Sequence, residues 1–211
     1  MTVKNLLISA LLFVTALMTV AFTGGAAPEP SAVSKRWQLQ AEFGQLRVFS
    51  TKTDGTPRAF YYMTYKTVNR TGQDVVFAPS FDLVDGAGQV VKSGRSVPES
   101  VTKARLQRVN NPLVQDQVSI LGTILQGEEN AKEGLVIWPC ENLRPGEINV
   151  YAAGFSGETA LVKVPGAKDE KGNEVTATLR KTRQITFKDP GDIMNRGDQP
   201  IEQNATKWIM R

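Results

Sequence analysis

The chain has 211 residues, 41% of them hydrophobic, which is enough for one packed domain with appendages. Lys+Arg number 25 and Asp+Glu 21, a formal charge of +4 spread without a basic block or stripe, so the charge pattern gives no support for nucleic-acid binding. Histidine is absent; this removes Ser-His-Asp and Cys-His catalysis, histidine zinc sites and histidine-held haem, and leaves carboxylate-only and lysine-based chemistry open.

Lys4 and Asn5 lead into residues 6–22, LLISALLFVTALMTVAF, followed by Thr23, Gly24, Gly25, Ala26, Ala27 and Pro28. This is the charged, apolar and small-residue order of a secretory signal, with cleavage expected after Ala26. The competing reading is an uncleaved anchor, for which the run is short of the span of about 20 residues. No second apolar run of that length follows, so the mature domain is expected not to span a membrane. Residues 27–35 carry two prolines and two serines and read as a flexible leader.

From Arg36 the pattern alternates. Trp37, Leu39, Ala41 and Phe43 share one parity; after Gly44, Leu46 and Val48 take the other, which one extra residue at a bulge reconciles. Asp54-Gly55 marks a turn, and residues 58–69 (RAFYYMTYKTVN) read as a strand. Tyr61, Met63, Tyr65 and Thr67 fall on one face of it, Phe60, Tyr62, Thr64 and Val68 on the other. Residues 75–84 form the next strand, with Pro79 an edge or break. Asp85-Gly86-Ala87-Gly88 turns the chain into a short returning strand at 89–92. In 96–110, Val97, Val101, Ala104 and Val109 fall near helical spacing, with Pro98 suited to the first helical position and Asn110, Asn111 and Pro112 ending the run.

Residues 118–125 are expected to be extended, and 127–134 a charged loop. Short strands follow at 135–138, 148–153 and 161–164, with a polar hairpin loop at 168–173. Residues 175–187 alternate again, Val175, Ala177 and Leu179 being followed by a polar interval before Ile185 and Phe187. Short strands at this spacing, without alternating βα units, predict a mainly β fold: an antiparallel β-sandwich with one inserted α-helix. The expected organisation is a signal peptide at 1–26, leader at 27–35, sandwich at 36–191 with the helical insertion near 97–110, and polar tail at 192–211.

Several motifs carry a resemblance. They are the Asn69-Arg70-Thr71-Gly72 turn, Phe81-Asp82-Leu83-Val84-Asp85, Gly127, the segment from Gly134 to Pro139 and Asn149-Val150-Tyr151. This pattern resembles immunoglobulin-like domains of small exported bacterial proteins. With Leu179-Arg180-Lys181-Thr182, Asp189-Pro190-Gly191-Asp192 and Trp208-Ile209-Met210-Arg211, it resembles more narrowly an uncharacterised secreted family of planctomycete-type bacteria. The match spans residues 36–211, and its motifs are turns, strand ends and a tail, with no catalytic residue to carry over.

Candidate chemistry is sparse. Asp82 and Asp85 beside a glycine turn offer too few oxygen ligands at set spacing for a calcium loop, so a solvated hairpin is the simpler reading. Glu128, Glu129 and Glu133 could pair for glycoside hydrolysis if held about 5–10 Å apart; on a loop they read as solubilising charge. Gly154-Phe155-Ser156-Gly157 falls short of a nucleophile elbow because Glu158 replaces the last glycine, leaving only a Ser-Lys pair. Arg196-Gly197-Asp198 matches an adhesion tripeptide by chance recurrence, and Asn69 and Asn204 head glycosylation sequons that need a host with that machinery. Cys140, the single cysteine, reads as a small buried residue or an exposed tethering thiol.

Two features are left as partner-binding candidates. Tyr61, Tyr62 and Tyr65 with Phe60 are the densest aromatic group; one face of their strand is core, and the other is either an exposed patch suited to a protein or glycan or the contact face of the insertion. Trp208, Ile209 and Met210 either dock back on the sandwich or add to an edge of another protein. The expected function is an exported binding or structural module, periplasmic or extracellular, without enzymatic activity or cofactor, whose partner is an envelope or extracellular protein or glycan. The alternative is a carboxylate-dependent hydrolase of envelope glycans.

Overall fold

The computed structural model describes residues 27–140, 146–193 and 195–211; the signal read in 1–26 lies outside them. In chain order the strands are β1 (Gln40–Phe43), β2 (Arg47–Thr53), β3 (Thr56–Asn69), β4 (Val75–Phe77), β5 (Ser80–Val84) and β6 (Val90–Lys92). Helix α1 (Glu99–Val109) intervenes. Then come β7 (Val114–Gln115), β8 (Gly122–Ile124), β9 (Gly127–Pro139), β10 (Ile148–Ala153), β11 (Thr159–Lys168), β12 (Glu174–Phe187) and β13 (Gln203–Met210). With 53% strand and 6% helix among the described residues, the protein is mainly β, an antiparallel sandwich with one helix in that part.

β3 and β12 organise the two sheets. β3 pairs with β1 and β2 on one side and with β9 on the other, and β7 adds in parallel to β9. β12 runs antiparallel to β10, β11 and β13, and β10 continues through β5 to β6. Their inner faces share one core: Tyr61, Met63, Tyr65, Val136 and Trp138 meet Phe81, Leu83, Ile148, Val150, Ile185 and Phe187. The extra residues at 44–46 restore the facing, since Leu39, Leu46 and Val48 all belong to this core. Gly134 is required opposite Tyr65, whose ring lies where a Cβ at 134 would sit.

The outer face of the β3 sheet is covered as well. Phe49, Phe60, Tyr62, Leu135 and Ile137 form a second cluster with Val101 of α1. Burial on both faces explains why β3 reads as a near-continuous aromatic run. It also corrects the exposed-patch reading of the tyrosines: Tyr61, Tyr62 and Tyr65 are 2%, 5% and 3% exposed. α1 begins after Pro98, which takes the extended N-cap position (ψ 143°) one place before the first turn, and Asn110 ends it in the left-handed region (φ 53°).

α1 is fastened by a charge. Arg105, on the same helix face as Val101, stacks its guanidinium 3.6 Å from the Tyr62 ring centroid and donates to the Tyr62 hydroxyl. That hydroxyl donates to Asp198 Oδ1 at 2.5 Å, and Arg105 reaches Asp198 Oδ2 at 3.2 Å. Burial, then the Asp198 bond, push the Tyr62 hydroxyl up to about 12. Tyr62→Phe is expected to cost about 1–3 kcal/mol by leaving Arg105 and Asp198 without their shared partner; a lowered urea midpoint at unchanged slope checks it.

Three segments differ from expectation. Residues 127–134 are not a loop but the first half of β9, paired to β3 across a register shift between Thr67 and Asn69. The tail at 192–211 contains β13, which lies along β12 from Lys181 to Phe187, so the sheet extends past residue 191. Arg211 closes it by exchanging two main-chain bonds with Arg180 and by an ion pair to Asp82 at 2.8 Å. Residues 118–125 supply only the short β8, because Asp116 draws the amides of Val118 and Ser119 into a turn.

Candidate functional site

A cleft of about 1120 Å³ lies between the leader and the β12–β13 edge. Its walls include Pro28, Pro30, Ser31, Trp37, Lys181 and Trp208. Three elements bring these together. The chain after Phe155 turns through Ser156 and Gly157 and delivers Glu158; β12 delivers Lys181; β13 delivers Trp208, whose cross-strand partner is Arg183. Gly157 is held close under the Trp37 indole, where a Cβ would stand 2.5 Å from Nε1, and the Gly157 amide donates to the Trp37 carbonyl at 3.0 Å.

At the base of the cleft Lys181 Nζ and Glu158 Oε2 are 3.0 Å apart, their side chains 3% and 11% exposed. The pair does not close on itself. Glu158 Oε1 accepts the Ser31 main-chain N–H at 2.8 Å, and Lys181 Nζ donates to the Ser31 carbonyl at 3.0 Å. One leader residue thus serves a buried carboxylate and a buried ammonium through its main chain, with its side chain adding to the carboxylate's bonds. The Ser31 amide, and then Lys181, hold the Glu158 carboxyl below its usual range despite burial. The Lys181 ammonium lies 5.6 Å and the Arg183 guanidinium 5.3 Å from the Trp208 ring centroid.

The leader is seated rather than loose. Pro28, Pro30 and Ser31 are half-buried, whereas Ala27, Glu29 and residues 32–36 are exposed. The tail candidates lie at the same place: Trp208 and Ile209 are half-buried, Met210 is 6% exposed, and all three line the cleft. Tyr61, Tyr62 and Tyr65 do not reach it; they belong to the two cores.

The other sequence candidates are engaged elsewhere. Glu128 pairs with Arg70 at 2.6 Å and Lys66 at 3.7 Å, and Glu133 accepts the Asn111 amide at 2.7 Å. The Ser156 hydroxyl bonds the Trp37 carbonyl and the Glu158 amide, and Lys181 is committed to Glu158 and Ser31. Asp85 Oδ1 accepts the Ala87 and Gln89 amides of its own turn, and among the described residues no group of three or more acids and cysteines is placed to hold a metal. Asn69 is fully buried and spends its side-chain amide on the Gln73 and Ile124 carbonyls. Arg196 donates to the Pro190 and Pro200 carbonyls while Asp198 faces Tyr62. Cys140 lies in the inter-sheet core, outside any disulfide.

Lys181 and Glu158 were not singled out by the sequence reading. A signal was present: Lys181 falls on the parity of Val175, Ala177, Leu179, Ile185 and Phe187, so an inward-pointing charge was implied. No helix among the described residues is long and apolar enough to cross a membrane. The chain matches no protein-family model, no curated protein and no solved structure.

Proposed function

We propose that this protein is an exported binding module without enzymatic activity, and that it engages an envelope or extracellular protein through the cleft formed by Lys181, Glu158, Trp208 and the leader. The secretory signal and the resemblance to secreted planctomycete-type proteins support export. The Lys181–Glu158 pair carries the binding reading, because it presents one buried donor and one buried acceptor to the main chain of a neighbouring segment. A hydrolase would need two carboxylates held about 5–10 Å apart across a substrate; Glu128 instead faces two cations and Glu133 an amide.

The test uses the full mature chain and its own tryptophan fluorescence. Unstructured peptides and soluble envelope-glycan fragments are titrated separately, with Lys181→Met as control. Saturable binding of peptides that Lys181→Met abolishes is the expected result. Binding of glycans alone, or turnover of them, overturns it.

A further inference from the structure

Resting on that reading, we infer that the cleft is a receptor for an extended, proline-rich peptide, and that the leader is its displaceable occupant in cis. Four observations converge. The leader sequence Ala27-Pro28-Glu29-Pro30-Ser31 carries proline at alternate positions, which fixes φ at each and drives the residue before each into extended geometry. It forms no strand with the body at Pro28–Ser31, so it is held as a ligand would be, by side chains. Its half-buried residues are Pro28, Pro30 and Ser31. The cleft walls supply two indoles, Trp37 and Trp208, the kind of surface on which proline-rich segments dock because little chain entropy remains to be lost.

The specificity follows from the bonds. Glu158 takes an N–H and Lys181 gives to a C=O of the same residue, and the Ser31 hydroxyl adds a further bond to the Glu158 carboxylate. The site therefore requires a residue that has a main-chain N–H directly after a proline, and favours one whose side chain carries a hydroxyl for Glu158. A proline at that position removes the donor and leaves Oε1 of a buried carboxylate without its main-chain partner, while Oε2 keeps Lys181. The cleft keeps about 1120 Å³ of open space beside the leader, somewhat more than the roughly 300–1,000 Å³ of a typical small-ligand site. A strap that occupies its own receptor lowers the apparent affinity for any other peptide by the fraction of time the site is vacant.

The experiment measures fluorescence anisotropy of a labelled peptide copying residues 27–36, APEPSAVSKR, added to full mature chains. Ser31→Pro in the protein removes the strap's N–H and Pro30→Gly returns its freedom; both changes sit outside the core. Ser31→Pro is expected to bind the peptide at least about tenfold more tightly than wild type, with Pro30→Gly between them. A peptide with proline at its serine position is expected not to bind, and Lys181→Met combined with Ser31→Pro is expected to lose binding. Equal affinity in wild type, Pro30→Gly and Ser31→Pro overturns the strap, as does equal binding of the two peptides. If unrelated peptides bind wild type through Lys181 while this one never does, the receptor inference falls and the binding-module reading stands. If no peptide binds any variant, both fall.

Discussion

Lys181→Met lowers the unfolding free energy by about 3–5 kcal/mol, because it strands the Glu158 carboxylate in a site that is almost dry. In a chain of this size that corresponds to a fall of roughly 6–20 °C in Tm. Glu158→Gln is milder, since the amide keeps an oxygen for the Ser31 N–H while losing the attraction to Lys181. Replacing both together, Lys181→Met with Glu158→Leu, removes the desolvation penalty along with the attraction, and the doubly substituted chain recovers to within about 1–2 kcal/mol of wild type. The two singles and the double, compared by denaturant unfolding, separate the pair from its surroundings. If the double is as unstable as the sum of the singles, the two groups do not act as a unit.

The same pair gives the protein an acid-sensitive contact. The Glu158 carboxyl is held below its ordinary value in the folded state, so the unfolded chain binds the proton first as pH falls. Its contribution is complete above the unfolded carboxylate value near pH 4.3 and is lost as pH drops through the lower folded value. Leader release is therefore an event of strongly acidic solution, and pH 5–8 leaves it in place.

Phe155→Ala is the second large loss, again about 3–5 kcal/mol. Phe155 is fully buried, and its ring centroid lies 5.2 Å from Phe43, 5.4 Å from Phe77, and 5.8 Å from both Tyr65 and Phe81. Most of these contacts are edge-on, the arrangement in which aromatic quadrupoles attract. Four elements meet on this one ring: β1, β3, β4 and β5. Phe155→Leu fills more of the space and loses less, so the ordering wild type, Leu, Ala by calorimetry is the check. A loss for Ala no larger than that of an exposed substitution contradicts a sandwich centred on this cluster.

Much of the fold was legible because its signals are local. The Asp85 to Gly88 turn is closed by the Asp85 carboxylate on amides two and four residues ahead, so five consecutive residues determine it. Pro79 separates β4 from β5 because it brings no N–H to a ladder. The parity change at Gly44 was readable from Leu39, Leu46 and Val48 alone. What could not be read depends on what lies opposite. The segment GEENAKEG looks like a loop by composition, yet it is strand, paired to β3, with Lys66 and Arg70 both meeting the charge of Glu128. Tyr62 alternates as an outward residue, and only the arrival of α1 with Arg105 buries it.

The cleft was legible in halves. Trp208, Ile209 and Met210 stood out as an apolar tip after a polar stretch, and they line it. The leader's prolines were visible as well, but composition alone made them a flexible link. Lys181 carried an inward parity that a polar interval concealed. The residue it serves, Ser31, lies 150 positions away, a distance that periodicity does not bridge.

Amide hydrogen exchange at Ser31, in a chain of residues 27–211 at neutral pH, bears most directly on whether a buried ion pair grips the leader by its backbone. The expected outcome is a Ser31 amide that exchanges far more slowly than those of exposed Ala32 and Val33, and that speeds up to their rate on Lys181→Met or in acid. A Ser31 amide exchanging as fast as its neighbours in the wild-type chain would contradict it.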